Sequence, residues 1–322
     1  LEKEKKHLGH IESLRAIAAL MVMLFHFISF QHPSGPLIAS ESIRKYSEFG
    51  AQGVELFYII SGFVIYYSLT NEGFGFMQYP KYLLKRILRI FPPFWGVILL
   101  ICTVPIMWGW GFPYGKKELL QNATLTVDLF KQYNWMNLIF VTLKVEFLFY
   151  VVIGLLAVLM KRTSWSYALI AFSSLIGTYY HHFTFDLVHN IPFFVIGIAC
   201  CQIYKSKDLI LNYSLIAASL LLLYLVFPME DVVISLFGIV FLLWIPIKNR
   251  RMEQLGQFSY SIYLTHGFSG GMFLFYFKTE TSMSWNPWLY FIGAVCLSIL
   301  FAFCYYWVLE KRAISWSRKI KY

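Results

Sequence analysis

From end to end the chain alternates long apolar runs with short charged or polar interruptions. A run of about 20 apolar residues, wound as a helix, crosses a hydrocarbon core of roughly 30 Å. Ten such segments are predicted, over residues 11–31, 52–69, 93–112, 135–160, 165–181, 190–204, 211–228, 231–247, 257–277 and 287–309. The sixth is short, and Lys144 and Glu146 interrupt the fourth. No internal repeat, linker or low-complexity tract divides the pattern, so residues 1–322 read as one membrane domain. The expected fold class is all-α, a polytopic membrane protein with about ten transmembrane helices.

Composition points the same way. With 58% hydrophobic residues, 14% charged residues and a mean hydropathy of +0.60, the chain holds more apolar surface than a soluble core of 322 residues needs.

Charge sets the expected orientation. With a cytoplasmic N-terminus, 19 of the 27 Lys and Arg residues fall on the inner side. They cluster at Lys3 to Lys6, Lys81 to Arg89, Lys161-Arg162, Lys205 to Lys207, Lys248 to Arg251 and Lys311 to Lys321. Only Arg44, Lys45, Lys116, Lys117, Lys131 and Lys278 fall outside, with Arg15 and Lys144 left in the membrane. That is a positive-inside pattern with both termini cytoplasmic. The net charge of +10 then reports topology and contact with anionic lipid, and nucleic acid is not an expected partner. A cleaved leader is not expected either, because no small-residue cleavage site follows the first apolar run. The five cysteines have no metal-ligand spacing and read as helix-packing residues.

Within this apolar background a few polar side chains stand out. Arg15 and His26 lie eleven positions apart in the first segment. Eleven steps make about three helical turns, which puts both on one face about 16 Å apart along the axis. Ionisable residues at such depth cost roughly 2.5–3.5 kcal/mol on insertion scales and usually line a cavity that carries function. The bland alternative is a snorkelling arginine and a histidine satisfied between helices. In the second segment, Gly53-Val-Glu55-Leu-Phe-Tyr-Ile-Ile-Ser61-Gly62-Phe63, Glu55 sits at about the depth of His26, where a carboxylate can orient an imidazole. Ser61-Gly62 reads as a site of close helix approach.

The inner loop before the third segment carries Arg86 and Arg89 one helical turn apart. Two guanidinium forks at the membrane edge suit phosphate oxygens, although an ordinary positive-inside loop looks similar. In the fourth segment, Glu146 falls near the midplane with Tyr150 one turn on along the same face, placed to bind a hydroxyl or assist proton transfer. A Lys144–Glu146 pair is disfavoured by i,i+2 geometry. The ninth segment shows Ser259, Tyr263 and His266 as a polar stripe facing an interior, either a structural hydrogen-bond seam or a catalytic one. A metal reading of His181-His-Phe-Thr-Phe-Asp186-Leu-Val-His189 is set aside, since nothing fixes these residues on one face. Acceptor contact there is the other reading. Asn122-Ala-Thr and Asn212-Tyr-Ser match the glycosylation pattern, which is too frequent to carry weight.

Taken in order, these motifs resemble the acyltransferase-3 family of integral membrane O-acyltransferases, over almost the whole chain. The resemblance rests on Leu14-Arg15…His26, Gly53-Val-Glu-Leu-Phe…Ser61-Gly62-Phe63, Arg86-Ile-Leu-Arg89-Ile-Phe-Pro92, Glu146-Phe-Leu-Phe-Tyr150 and Phe258-Ser-Tyr-Ser-Ile-Tyr-Leu-Thr-His266. The closing Tyr306-Trp-Val-Leu-Glu310-Lys311 is also similar to the family's end. Glu12 stands where an Asp is usual, and Leu143-Lys144 interrupts a stretch that more often reads Leu-Ser-Val.

The resemblance implies transfer of an acyl group, most often acetyl, from cytoplasmic acyl-coenzyme A to a hydroxyl of a glycan, a lipid-linked saccharide or a related envelope acceptor. It implies a multi-pass protein of the bacterial inner (plasma) membrane, with acyl-coenzyme A as co-substrate and no metal. No extracytoplasmic esterase-like domain of the kind some relatives carry is expected. On this reading Arg15, Arg86 and Arg89 hold the donor. His26 is general base on the acceptor hydroxyl or, alternatively, the nucleophile that carries the acyl group. Glu55 and Glu146 assist, and Tyr150, Tyr263 and His266 contact substrate. The competing class is a transporter or flippase, in which intramembrane charge is equally typical but repeats and paired broken helices are often seen.

Overall fold

The computed structural model describes residues 9–28, 41–69, 74–107, 114–130, 134–159, 164–181, 186–279 and 286–321. Its elements are helices throughout, with no strand among the described residues. They run α1 (Gly9–Ile28), α2 (Glu41–Glu48), a 3₁₀ turn at Phe49–Gln52, α3 (Gly53–Leu69), α4 (Tyr79–Met107), α5 (Lys116–Ala123) and α6 (Val127–Phe130). Next come α7 (Ile139–Leu159), α8 (Ser164–His181), α9 (Asp186–Tyr204), α10 (Leu209–Val226), α11 (Met229–Leu243) and α12 (Arg250–Gln257). The chain closes with α13 (Ser259–Thr265), a π turn at Gly267–Gly271, α14 (Met272–Thr279), α15 (Pro287–Tyr305), a π turn at Tyr306–Glu310 and α16 (Lys311–Lys319).

Among the described residues each of the ten expected segments overlaps at least one helix, and seven runs are long and apolar enough to cross a membrane. These are α1, the run Glu41–Leu69, Tyr79–Val104, α7, Leu187–Tyr204, α10 and the run Pro287–Lys319. The fifth expected segment forms α8. The eighth forms α11, which at 15 residues is short, and the ninth is broken into α13 and α14 by the π turn. Large apolar side chains such as Leu221 and Leu225 on α10 and Leu300 on α15 are exposed, as expected where lipid is the solvent. The chain is an integral membrane protein.

The helices divide into two compact units built from interleaved stretches of chain, the first from residues 1–22, 48–71 and 160–260, the second from 23–47, 72–159 and 261–322. In the first unit α9 is the hub, packing against α3, α8, α10 and α11. Glycine sets the α3–α9 contact. A Cβ at Gly62 would collide with the Phe194 carbonyl, and one at Gly197 with the Ile59 carbonyl, so the two backbones touch at reciprocal positions. Ser61-Gly62 is therefore a packing element. Gly53 meets the Ala18 carbonyl of α1 in the same way, and Gly256 of α12 meets the Glu12 carbonyl.

Both glycosylation-like asparagines are structural. Asn212, fully buried, donates to Lys207 O at 2.9 Å and Asp208 O at 3.1 Å and so pins the turn between α9 and α10. In the second unit, the equally buried Asn122 donates to Glu118 O at 3.1 Å and Asn134 O at 3.3 Å and accepts from Met136 N–H at 2.9 Å.

The second unit is tied together by aromatics and hydroxyls. Tyr82 and Tyr79 of α4 donate to Tyr150 O and Val151 O of α7, both at 3.1 Å, and both rings lie over Gly154. Phe94 meets Phe140 edge-on with centroids 4.8 Å apart, and Phe91 meets Phe147 at 5.1 Å. Tyr305 of α15 donates to Pro93 O of α4. Glu310 is buried and accepts from Ser261 N–H at 3.1 Å and Ser261 Oγ at 2.5 Å. That carboxylate anchors the start of α13, which gives the closing Tyr306-Trp-Val-Leu-Glu310 motif its physical role.

Candidate functional site

The helix α1 is continuous from Gly9 to Ile28, so Arg15 and His26 do ride one helix about three turns apart. Arg15 belongs to the first unit, half-buried, with Glu12 at 3.8 Å one turn before it.

His26 belongs to the second unit, where it meets His266. The His26 Nδ1 lies 3.3 Å from His266 Nε2, with ring centroids 4.9 Å apart. The His266 ring is almost fully buried, and its Nδ1 faces two carbonyls of α13, the helix it follows, Tyr263 O at 2.8 Å and Ile262 O at 3.2 Å. Carbonyls only accept, so His266 Nδ1 carries the proton. Neutral His266 then presents the lone pair of Nε2 to His26. His26 in turn donates from Nδ1 and carries its own lone pair on Nε2. A backbone carbonyl, one imidazole and a second imidazole form a chain that fixes both tautomers, as a base that must accept a proton at a defined atom requires.

From this pair a polar line continues along α7. The Tyr263 hydroxyl is hydrogen-bonded to Thr142 Oγ1. Glu146 lies one turn beyond Thr142 and Tyr150 one turn beyond Glu146, so the three share a face about 12 Å long. Tyr150 donates to the Glu146 carboxylate. The guanidinium of Arg86 lies over the Tyr150 ring, 5.7 Å from its centroid, and over the Tyr82 ring at 5.3 Å. Arg86 is buried, while Arg89 and Glu146 are half-buried. Two tyrosine faces so hold one guanidinium near the end of a polar stripe whose other end is the histidine pair.

Lys144 has its own local partners, the Asp128 carboxylate and, at 5.7 Å, the Trp135 ring. It leaves Glu146 to Tyr150, as i,i+2 geometry demands. Ser259 of the expected polar stripe donates to Gly256 O at 2.8 Å and is a seam residue. Of the His181–His189 stretch, the side chains of His181, His182 and Asp186 lie outside the described residues, and His189 packs on Phe227 with centroids 4.6 Å apart. No group of three or more His, Cys, Asp and Glu side chains among the described residues is arranged to hold a metal ion.

A family model described as an acyltransferase domain matches residues 8–307. The chain belongs to that acyltransferase family. No curated protein and no solved structure matches it. In this acyltransferase, the second unit brings together six of the residues singled out from sequence: His26, His266 and Tyr263 at one end, Glu146, Tyr150 and Arg86 at the other.

Glu55 sits in the first unit, in company that sequence reading missed. Asp231 of α11 stands near Gln52 and interacts electrostatically with Glu55. Ser235 lies one turn beyond Asp231. The signal was present: Gln52 is one turn before Glu55, and Asp231, Ser235 and Gly238 make an i, i+4, i+7 stripe. It was hidden because Asp231 stands at the start of an apolar run, where an acid reads as a helix-end residue.

Proposed function

We propose that this acyltransferase moves an acyl group, most often acetyl, from cytoplasmic acyl-coenzyme A to a hydroxyl of an envelope glycan or lipid-linked saccharide. The observation that carries the reading is the His26–His266 pair, an imidazole of fixed tautomer at one end of a polar line that ends in a stacked arginine. Arg86, with Arg89 one turn on, takes the donor's phosphates, and Arg15 of α1 is a further cation on which donor binding depends. The thin pantetheine arm follows the face of Thr142, Glu146 and Tyr150, whose length of about 12 Å suits an extended linker better than a compact ligand.

The Nε2 of His26 removes the proton of the acceptor hydroxyl as that oxygen attacks the thioester carbonyl. The thiolate of coenzyme A then leaves and takes up a proton. A nucleophilic His26 would use the same nitrogen, with an acyl-imidazole between two half-reactions. His266 acts through His26, holding its Nδ1–H. Glu146 and Tyr150 flank the arm or the acceptor.

The topology that goes with this function has about ten spans in one membrane domain, both termini cytoplasmic, in a bacterial inner membrane. It rests on the charge asymmetry of the loops. Purified protein given acetyl-coenzyme A labelled in the acetyl group should release free coenzyme A and label an envelope saccharide, and His26→Ala should abolish both. Retention of the intact thioester under all conditions would point instead to transport.

A further inference from the structure

Within the second unit, the helical winding changes directly after His266. In an α-helix the His266 carbonyl would accept from the N–H of Gly270, four residues on. Here it accepts from Gly271 N–H instead, at 2.9 Å, and Gly267–Gly271 winds as a π turn. The N–H of Gly270 goes to a side chain of another helix: Ser298 Oγ of α15 accepts it at 3.0 Å. The same hydroxyl is hydrogen-bonded to Ser269 Oγ at 3.1 Å, and Ser269 donates to Thr265 O at 2.9 Å. Ser298 is fully buried, and Ser269 and Gly270 are buried with it. A serine of α15 thus stands in for the carbonyl that an α-helix would have offered.

Gly270 makes that exchange possible. A Cβ there would collide with Ser298 Oγ and Ala294 O of α15 and with the ring of Phe27 of α1, so three elements close on one residue that has no side chain. Phe27 directly follows His26, and its ring is tilted against His266 with centroids 6.2 Å apart. The junction therefore borders both imidazoles of the pair. π turns are rare, and this one has a ready alternative, because Gly270 N–H could close an ordinary α-helical bond to His266 O. Closing it would turn the chain before the junction by about 100° relative to the chain after it and shift it by about 1.5 Å. Glu310 holds the start of α13, and α14 packs against α15. The mismatch would then fall on His266, the residue between α13 and the turn.

We propose that Ser298 is a positioning residue for acyl transfer: by taking the Gly270 N–H it keeps the π turn open, and the π turn aims His266 Nε2 at His26. This role rests on the acyl transfer proposed above for His26. Ser298 acts on neither substrate directly, and its contribution reaches the chemistry through His266.

A double-mutant cycle tests it. The parent, Ser298→Ala, His266→Ala and the double variant are purified. Three quantities are measured on each: the melting curve in detergent, binding of acetyl-coenzyme A, and the rate of transfer of labelled acetyl to saccharide extracted from envelopes of cells lacking the gene. Ser298→Ala should bind acetyl-coenzyme A as the parent does and lose at least tenfold in kcat with donor KM unchanged. In the His266→Ala background the same substitution should cost less than twofold, because the residue it positions is already gone. A serine that only supports the fold would cost the same factor in both backgrounds, and that result overturns the proposal. Parent-like kcat in Ser298→Ala overturns it as well. Should Ser298→Ala lose donor binding or its cooperative melt, Ser298→Cys, which fills similar space with a weaker acceptor, goes through the same cycle. The same losses in that variant would make Ser298 a residue of the fold alone and end the proposal. The parent's own turnover separates the two readings: if it neither binds acetyl-coenzyme A nor transfers label, the acyltransferase reading falls first and the role of Ser298 with it.

Discussion

His26 Nδ1 lies 3.3 Å from His266 Nε2, and the far nitrogen of His266 faces the carbonyl of Tyr263 at 2.8 Å. Two histidines 240 positions apart in the sequence thus share one proton register, set by a peptide carbonyl of α13. The geometry assigns them unequal roles: His26 presents a lone pair, and His266 decides which nitrogen carries it.

Substitution should separate those roles. His26→Ala should abolish transfer and leave acetyl-coenzyme A binding near normal. His266→Ala should lower kcat by about 10²–10⁴-fold, the usual range for general acid–base catalysis, with little change in donor KM. His266→Asn should recover part of the loss, since an amide donates to the Tyr263 carbonyl and accepts from His26. Steady-state kinetics on the three variants check this. Normal kcat in His266→Ala would remove the relay.

Donor affinity should depend on the arginines. Arg89→Lys keeps the charge but loses the fork, so binding of acetyl-coenzyme A should weaken with kcat at saturation nearly unchanged. Arg86→Lys should weaken it further, because the ammonium also loses the planar stacking on Tyr82 and Tyr150. Arg15→Ala should act on donor binding as well, with turnover partly recovered at high donor. Titration of labelled donor onto purified variants is the measurement, and parent-like affinity in all three would reduce these cations to topology signals.

Stability should respond at Glu310. Its replacement by alanine leaves the buried N–H and hydroxyl of Ser261 without their acceptor, and each such loss costs about 1–3 kcal/mol. The melting temperature in detergent should fall by several degrees, and activity with it, because α13 carries Tyr263 and leads directly into His266. An unchanged melting curve would show that α13 is held by packing alone.

Topology can be read with tags. Tags at residues 1, 75, 162 and 250 should be cytoplasmic, and tags near 40 and 120 should face outward, as the 19-to-6 split of basic residues requires. Accessibility to an impermeant thiol label decides it, and any of the first four appearing outside would reverse the donor side.

Hydropathy and local spacing were enough to fix the all-helical membrane class and the shared face of Glu146 and Tyr150. These depend on interactions within a few turns of one helix, which a linear pattern records. The broken ninth segment, the reciprocal glycine contacts of α3 and α9, the capture of Lys144 by Asp128 and the pairing of His26 with His266 are different. So is the approach of Asp231 to Gln52 and Glu55. Each joins residues distant in sequence, and which helix faces which is set by the packing of whole surfaces. A histidine or a serine in an apolar run looks the same in sequence whether it meets a ligand, a lone pair or a carbonyl. Only the tertiary structure supplies the neighbour, and the neighbour decides where the proton sits.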